Sequence, residues 1–211
     1  MENDTPNKIK ISKEIIATLP IETFPGKIVV IDNERDADNA VLQLNNERII
    51  GFDTETRPTF KKGKSNHVAL IQLSTHDTCY LFRINRIGFT PAIKNLLENE
   101  SLLKVGISLK DDFCMLSRLN GGQFIPKNFI ELQKFVKKCN IEDQSLQKIY
   151  GIVIGKKISK GQRLSNWEAD HLTENQQLYA ATDAWSCIKI YEVLKSGKFK
   201  SPIYKIQPSS L

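Results

Sequence analysis

Asp53 and Glu55 stand two residues apart at the end of the apolar run RIIGFDTE, residues 48–55. A strand's period of two puts both carboxylates on one face, although a polar strand end turned to solvent would read the same way. Asp183 is harder to explain so simply. It sits inside YAATDAWSCI, where Ala180, Ala181, Ala184 and Trp185 imply a helix covered on more than one side, and no lysine or arginine stands four residues before or after it. A buried carboxylate is costly unless a cation or hydrogen-bond donors compensate it, so the missing partner points to a metal. Tyr179 lies one turn before Asp183 on the same helical face, as either a core tyrosine or a phenol held beside a water. Asp111 and Asp112 open a helix directly after LLKVGI. Acids are favoured at a helix start for capping and dipole reasons alone, yet ligands of open α/β sheets bind beyond the carboxyl ends of the strands, where this pair falls.

Carboxylates gathered in a basic chain are the donor set that a hard divalent cation requires. Mg²⁺ takes oxygen ligands, keeps some waters and is typically held by one or two carboxylates plus substrate phosphates. Two such ions roughly 4 Å apart suit an in-line attack of water on a phosphodiester, with departure of a 3′-oxygen.

Bringing these groups together requires a sheet with helices beside it. KIVVID at 27–32 and the run at 48–55 read as strands, and residues 33–45 between them as a helix with Ala40, Val41 and Leu44 among its apolar positions. HVALIQLST and TCYLFRI make two further strands parted by a polar turn at His76 and Asp77. Three strands so close in sequence predict an antiparallel meander. Alternation follows, with a helix in PAIKNLLEN, a strand in SLLKVGI at 101–107 and a helix in DDFCMLSRL at 111–119. GGQFIPKNFIEL then holds a loop and short strand, and LQKFVKKC begins another helix. This order predicts an α/β sheet covered by helices, with parallel strands in its second half. SLQKIYG reads as a short helix stopped by Gly151, and KKISKGQR at 156–163 as an exposed loop. The last helix has Thr173 as its cap, Gln176 in capping-box spacing and Gly197 as its stop.

The 211 residues suit one domain with a sizeable apolar core. At 40% hydrophobic and 26% charged the chain reads as soluble and globular, which excludes collagen-like, disordered and disulfide-scaffold classes. Thirty Lys and Arg against 24 Asp and Glu give a charge of +6, a modest pull on polyanions. The four cysteines form no CxxC pair, and the apolar surroundings of Cys114 and Cys187 predict buried free thiols in a reducing compartment. The three histidines have no zinc-site spacing. A polar N-terminus without an apolar core segment, and the lack of any run of 18 apolar residues, predict no signal peptide, no membrane partner and a cytoplasmic location.

GFDTET followed by HVALIQLST, then KVGISLKDDFCML, then LYAATDAW within LSNWEADHLTENQQLYAATDAW, form three motifs in order. Together they resemble the DEDD superfamily of 3′→5′ exonucleases, in its tyrosine-containing DEDDy branch. The likeness is nearest to the Werner-syndrome-type exonuclease domain and more distant to ribonuclease D and the proofreading domain of family A DNA polymerases, and it runs from roughly residue 28 to 195. It implies a ribonuclease H-like α/β fold with a mixed five-stranded sheet, three strands antiparallel and two parallel, flanked by helices. It also implies two Mg²⁺ or Mn²⁺ ions. In that scheme Asp53 bridges both, Glu55 and Asp183 complete the first, Asp112 helps hold the second partly through water, and Tyr179 orients the attacking water. Thr54 and Thr56 are expected near the terminal nucleotide.

The polar, proline-punctuated residues 1–26 read as an N-terminal arm lying across the surface, ahead of a 3′–5′ exonuclease domain (27–197) that the resemblance implies and a C-terminal tail (198–211). The partner is a nucleic acid with a free 3′ end, single-stranded or recessed, DNA somewhat favoured over RNA, and the products are nucleoside 5′-monophosphates. Phe60 and Trp167 are candidate stacking residues. Lys61 and Lys62 in KKGK, the pair Lys137 and Lys138, and the loop 156–163 are candidates for tracking phosphates. Two rivals share the fold: a noncatalytic module that binds nucleic acid or protein, and a metal hydrolase for small phosphoesters.

Overall fold

The computed structural model describes residues 8–58, 67–197 and 199. The elements run α1 (Lys13–Thr18), β1 (Lys27–Ile31), α2 (Glu34–Leu44), β2 (Ile49–Thr56), β3 (Val68–Ser74), β4 (Thr78–Phe82), α3 (Ile84–Ile87) and α4 (Pro91–Leu97). Then follow β5 (Leu103–Gly106), α5 (Leu109–Leu119), β6 (Phe129–Glu131), α6 (Leu132–Lys137), α7 (Leu146–Ile154) and α8 (Glu174–Lys195). One mixed sheet of order β1-β4-β3-β2-β5-β6 carries the architecture, an α/β fold flanked by helices and consistent with the ribonuclease H-like class.

The expected meander is present: β2 pairs antiparallel with β3, and β3 with β4. The expected parallel half is β5 beside β2 and β6 beside β5. Among the described residues, however, the sheet has six strands and not five. The sixth is β1, which runs parallel to β4 from Lys27 opposite Thr78 to Ile31 opposite Phe82. It covers an edge of β4 that would otherwise present unpaired N–H and C=O groups, and it becomes the edge itself, with Ile31 alone of its residues buried.

Every residue of β3 is buried, because both faces of the sheet are covered. Ile50, Phe52, Ile71 and Leu73 point to the layer of α2, α4 and α5, whereas Leu70 and Leu81 point to that of α7 and α8. Asp53, two residues on from Gly51, shares the α8 face by the strand period.

Helix α8 begins at the capping box of Thr173 and Gln176, as its sequence predicts. It lies so close to β2 that a Cβ on Gly51 would come within 1.9 Å of the Ala184 carbonyl oxygen. This close approach sets Asp183 beside Asp53. A Gly51→Ala chain is expected to lose about 1–3 kcal/mol of stability, read by thermal melting, because backbone and not a flexible side chain must give way.

Gly151 does not stop α7. The helix continues to Ile154 and ends at Gly155, whose left-handed φ of 75° suits a helix terminus. Gly151 instead lets the N-terminal segment pack closely, with the Ile11 and Leu19 methyls each 3.2 Å from where its Cβ would stand. That segment does more than lie across the surface: Ile11, Ile16, Leu19 and Phe24 are buried in the core beneath α7 and α8. The Phe24 N–H donates to Thr182 Oγ1 at 3.0 Å. The Glu22 carboxylate accepts from Lys156 at 2.7 Å, Lys189 at 2.9 Å and the Tyr150 hydroxyl.

Cys79 and Cys187 are buried as expected, Cys139 is half-buried, and Cys114 is exposed. Cys114 shares the outer face of α5 with Asp111 and Arg118, three and four residues away, while Leu116 takes the inner face. The apolar sequence around Cys114 belongs to a helix buried on one side only. Among the described residues, no helix is long and apolar enough to cross a membrane.

Candidate active site

Three elements converge at the carboxyl end of β2. The strand delivers Asp53 and Glu55, α8 delivers Asp183 and Tyr179, and α5 delivers Asp112. One carboxylate oxygen from each of Asp53, Glu55 and Asp183 lies within 4.8 Å of the others. Asp53 and Glu55 are half-buried and Asp183 is 8% exposed.

Asp112 stands outside that close trio, where the Thr54 hydroxyl donates to it. The Thr54 backbone N–H donates to Asp53 Oδ1 at 2.9 Å, so one residue ties both acids to β2. The start of α5 is held by Glu131, whose carboxylate accepts from the N–H groups of Ser108 at 3.1 Å and Leu109 at 2.8 Å. Asp111 is exposed and Asp112 turns inward, which distinguishes two acids that helix-start preferences treat alike. Asp112→Asn is therefore expected to cut activity on the order of a hundredfold or more, with Asp111→Asn within about threefold of wild type. The opposite ranking in a steady-state assay would shift the site by one residue.

The electrostatics show a site short of positive charge. Burial, then the charges of Asp183, Glu55 and Asp112, push the Asp53 carboxyl well above its usual range. Glu55 is pushed up to about 9 by burial and the charges of Asp183 and Asp112, against a weaker pull from Arg163. Burial raises Asp183 to about 7, although its hydrogen bond with Tyr179 and the charge of Lys160 pull the other way. Asp112 rises to about 6 through burial, against its hydrogen bond from Thr54. The Tyr179 hydroxyl is raised by burial and by these carboxylates, so it holds its proton at neutral pH.

Among the described residues, no lysine or arginine forms an ion pair with any of the four acids. Clustered hard-oxygen donors, mutual repulsion and no bonded cation are what a divalent ion would resolve. The residues present fit one.

A cleft of about 540 Å³ opens beside the cluster. Asp53, Asp183 and Tyr179 form one side, and Ser145, Lys160 and Arg163 are among the residues that complete it. The loop 156–163 thus divides in two. Lys156 is bound to Glu22 and Lys157 to the Ala17 carbonyl, so both secure the N-terminal segment. Lys160 and Arg163 reach the cleft, a difference that their shared basic character conceals in sequence. Ser145, the cap residue of α7, carried no warning either, since serine before a helix is ordinary.

Trp167 is fully buried, with its ring 6.0 Å from that of Tyr179 at 36°. Set behind the tyrosine, it backs Tyr179 and offers no face to a base, contrary to its reading as a stacking residue. Thr56 ends β2 half-buried beside a register irregularity at Glu55 and Thr56. Phe60, Lys61 and Lys62 lie outside the described residues. Lys137 and Lys138 are exposed, and Lys137 lines grooves other than this cleft.

Comparison with known proteins adds to this geometry. A family described as 3′-5′ exonuclease matches residues 28–197. The bifunctional 3′-5′ exonuclease/ATP-dependent helicase WRN of Mus musculus is 36% identical over 204 residues, covering 90% of this chain and 14% of its own length. A 3′-5′ exonuclease of Arabidopsis thaliana is 28% identical, covering 83% of this chain and 66% of its own. The chain thus spans less than two thirds of either relative. Among solved structures, the Aedes aegypti Nibbler EXO domain aligns with a TM-score of 0.72 at 21% identity, covering 95% of this chain and 94% of that one. Escherichia coli RNase D aligns at 0.71 and 22%, covering 81% and 46%. At these identities the structures attest the fold.

Proposed function

The chain belongs to the DEDD superfamily of 3′–5′ exonucleases, and from that premise we propose that it hydrolyses phosphodiester bonds at nucleic-acid 3′ ends, releasing nucleoside 5′-monophosphates one at a time. The observation that carries this reading is the trio of carboxylate oxygens from β2 and α8 within 4.8 Å of one another, beside a cleft shared by Tyr179, Lys160 and Arg163.

In the proposed reaction Asp53, Glu55 and Asp183 would hold one divalent cation, and Asp112 would help Asp53 to hold a second, Mg²⁺ or Mn²⁺ in either case. Such ions, when bound, supply Lewis acidity for the attacking water and for the leaving 3′-oxygen. The work of the chain is positioning. Asp183 and the hydroxyl of Tyr179 face the cleft together, so the phenol keeps its proton and orients a water by hydrogen bonding. Lys160 and Arg163 neutralise phosphate charge from the cleft. Thr54 keeps Asp53 and Asp112 in register, and Thr56 lies toward the terminal nucleotide. Trp167 holds the Tyr179 ring against rotation.

DNA is proposed somewhat ahead of RNA as the substrate. Single-stranded or recessed 3′ ends are the proposed substrates. The test is a time course with 5′-labelled DNA and RNA oligonucleotides, free or blocked at the 3′ end, in Mg²⁺, Mn²⁺ or chelator. Stepwise shortening of free 3′ ends only, and only with cation, is expected. Binding without shortening would leave a noncatalytic module, and turnover of small phosphoesters with no polymer shortening would leave a different hydrolase.

A further inference from the structure

Gln72 is fully buried in the middle of β3, and among the described residues neither its amide nitrogen nor its amide oxygen has a hydrogen-bond partner. A buried amide without partners bears its full desolvation cost, and each such group calls for an explanation. Its place in the ladder supplies one. Gln72 is the direct cross-strand partner of Asp53 in the antiparallel pair of β2 and β3. Direct partners project to the same face with Cβ atoms about 4.5–5.5 Å apart. Both side chains therefore lie on the face covered by α8, and Gln72 lies on the inner side of the acid cluster, away from the cleft. Ser186, three residues after Asp183, is also fully buried with an unpartnered hydroxyl. Unsatisfied polar groups thus occur on both the strand and the helix that enclose Asp53.

The geometry points to Gln72 as a positioning residue for Asp53: when a divalent cation is bound, the amide N–H donates, directly or through one buried water, to a carboxylate oxygen and fixes the orientation in which Asp53 ligates. Among the described residues that carboxylate has one other donor, the Thr54 N–H on Oδ1, which leaves accepting capacity for a second. A ligating carboxylate is normally held by such an outer hydrogen bond, and loss of one typically lowers metal affinity tenfold to a hundredfold. Without the cation the amide remains unpartnered and a burden on the fold. This inference rests on the metal-site reading above, so its test reads cation binding and unfolding separately from nucleic-acid turnover.

The experiment compares wild type with Gln72→Leu and Gln72→Met. Both replacements are apolar, and methionine keeps the unbranched shape. Each protein is melted in chelator, then titrated with Mn²⁺ alone by calorimetry. Melting temperatures in chelator are expected to equal or exceed that of wild type, while Mn²⁺ affinity falls about tenfold or more. With oligonucleotide, kcat is expected to fall at saturating Mn²⁺ while KM stays within about twofold. Unchanged Mn²⁺ affinity in the two variants would overturn the inference. So would a large fall in melting temperature for both in chelator, since the amide would then already be satisfied without cation. Wild type that binds Mn²⁺ but releases no nucleotide would sink the exonuclease reading while leaving Gln72 to be judged on binding alone.

Discussion

Asparagine at position 53 is expected to leave a folded protein that releases nucleotides on the order of a thousandfold more slowly, or not measurably. The charge on Asp53 is the one shared by the close trio and by Asp112, since both Glu55 and Asp183, and then Asp112, act on it electrostatically. Its replacement removes a ligand from the centre of the cluster at almost constant volume. The fold should not suffer, because without cation the acids repel one another and burial opposes their ionisation. Circular dichroism and melting in chelator should match or exceed wild type, while end-labelled substrate remains intact. A D53N protein that melts normally and digests at the native rate would remove Asp53 from the site.

The second large effect is on stability against pH. Carboxyls raised in the folded chain bind protons that the unfolded chain has already released. Stability is then fullest below their ordinary values, near 4, and declines as pH rises through the folded values. For Asp112, Asp183 and Glu55 those values are about 6, 7 and 9, so the decline should extend from about pH 5 to pH 9 in chelator. A displacement of two pH units in a single carboxyl corresponds to about 2.7 kcal/mol. Mutual coupling spreads the loss, and a drop of about 5–10 °C in Tm across that range is expected for a chain of this length. Saturating Mn²⁺ should abolish or reverse the slope, since the ion favours the ionised acids. A chelated protein equally stable at pH 5 and pH 9 would mean that these acids are not crowded together.

The parts of the fold that local pattern governs were legible from sequence. The capping box of Thr173 depends on a neighbour three residues away, and the meander and the alternation after residue 90 follow from the order and spacing of successive apolar runs. Gly151 misled because a glycine that ends a helix and one that admits a packing neighbour look alike in sequence; Ile11 and Leu19, far away in the N-terminal segment, decide between them. The run 27–32 was legible as a strand, but the five-strand count implied by the resemblance left it no place in the sheet, because its pairing with β4 is a long-range choice.

In the candidate site, the acids and Tyr179 could be read because residue type and motif spacing carry their chemistry. Burial is a property of the assembled fold. Hence Trp167, with the aromatic face of a base-stacking residue, packs behind Tyr179, and Cys114, in an apolar stretch, faces water. Lys160 and Arg163 were no different in kind from Lys156 and Lys157 until Glu22 and the Ala17 carbonyl occupied the latter two. Gln72 gives no sign in sequence of what it lacks.

The bond from the Phe24 N–H to Thr182, one residue from Asp183, sets a lower bound on how small a working unit can be. Family resemblance begins at residue 28, yet excision at that point would strip apolar cover from α7 and α8 and free the helix that presents Asp183 and Tyr179. Transplanted into another protein, the domain must bring its leader along, and evolution by fusion would have to cut upstream of it.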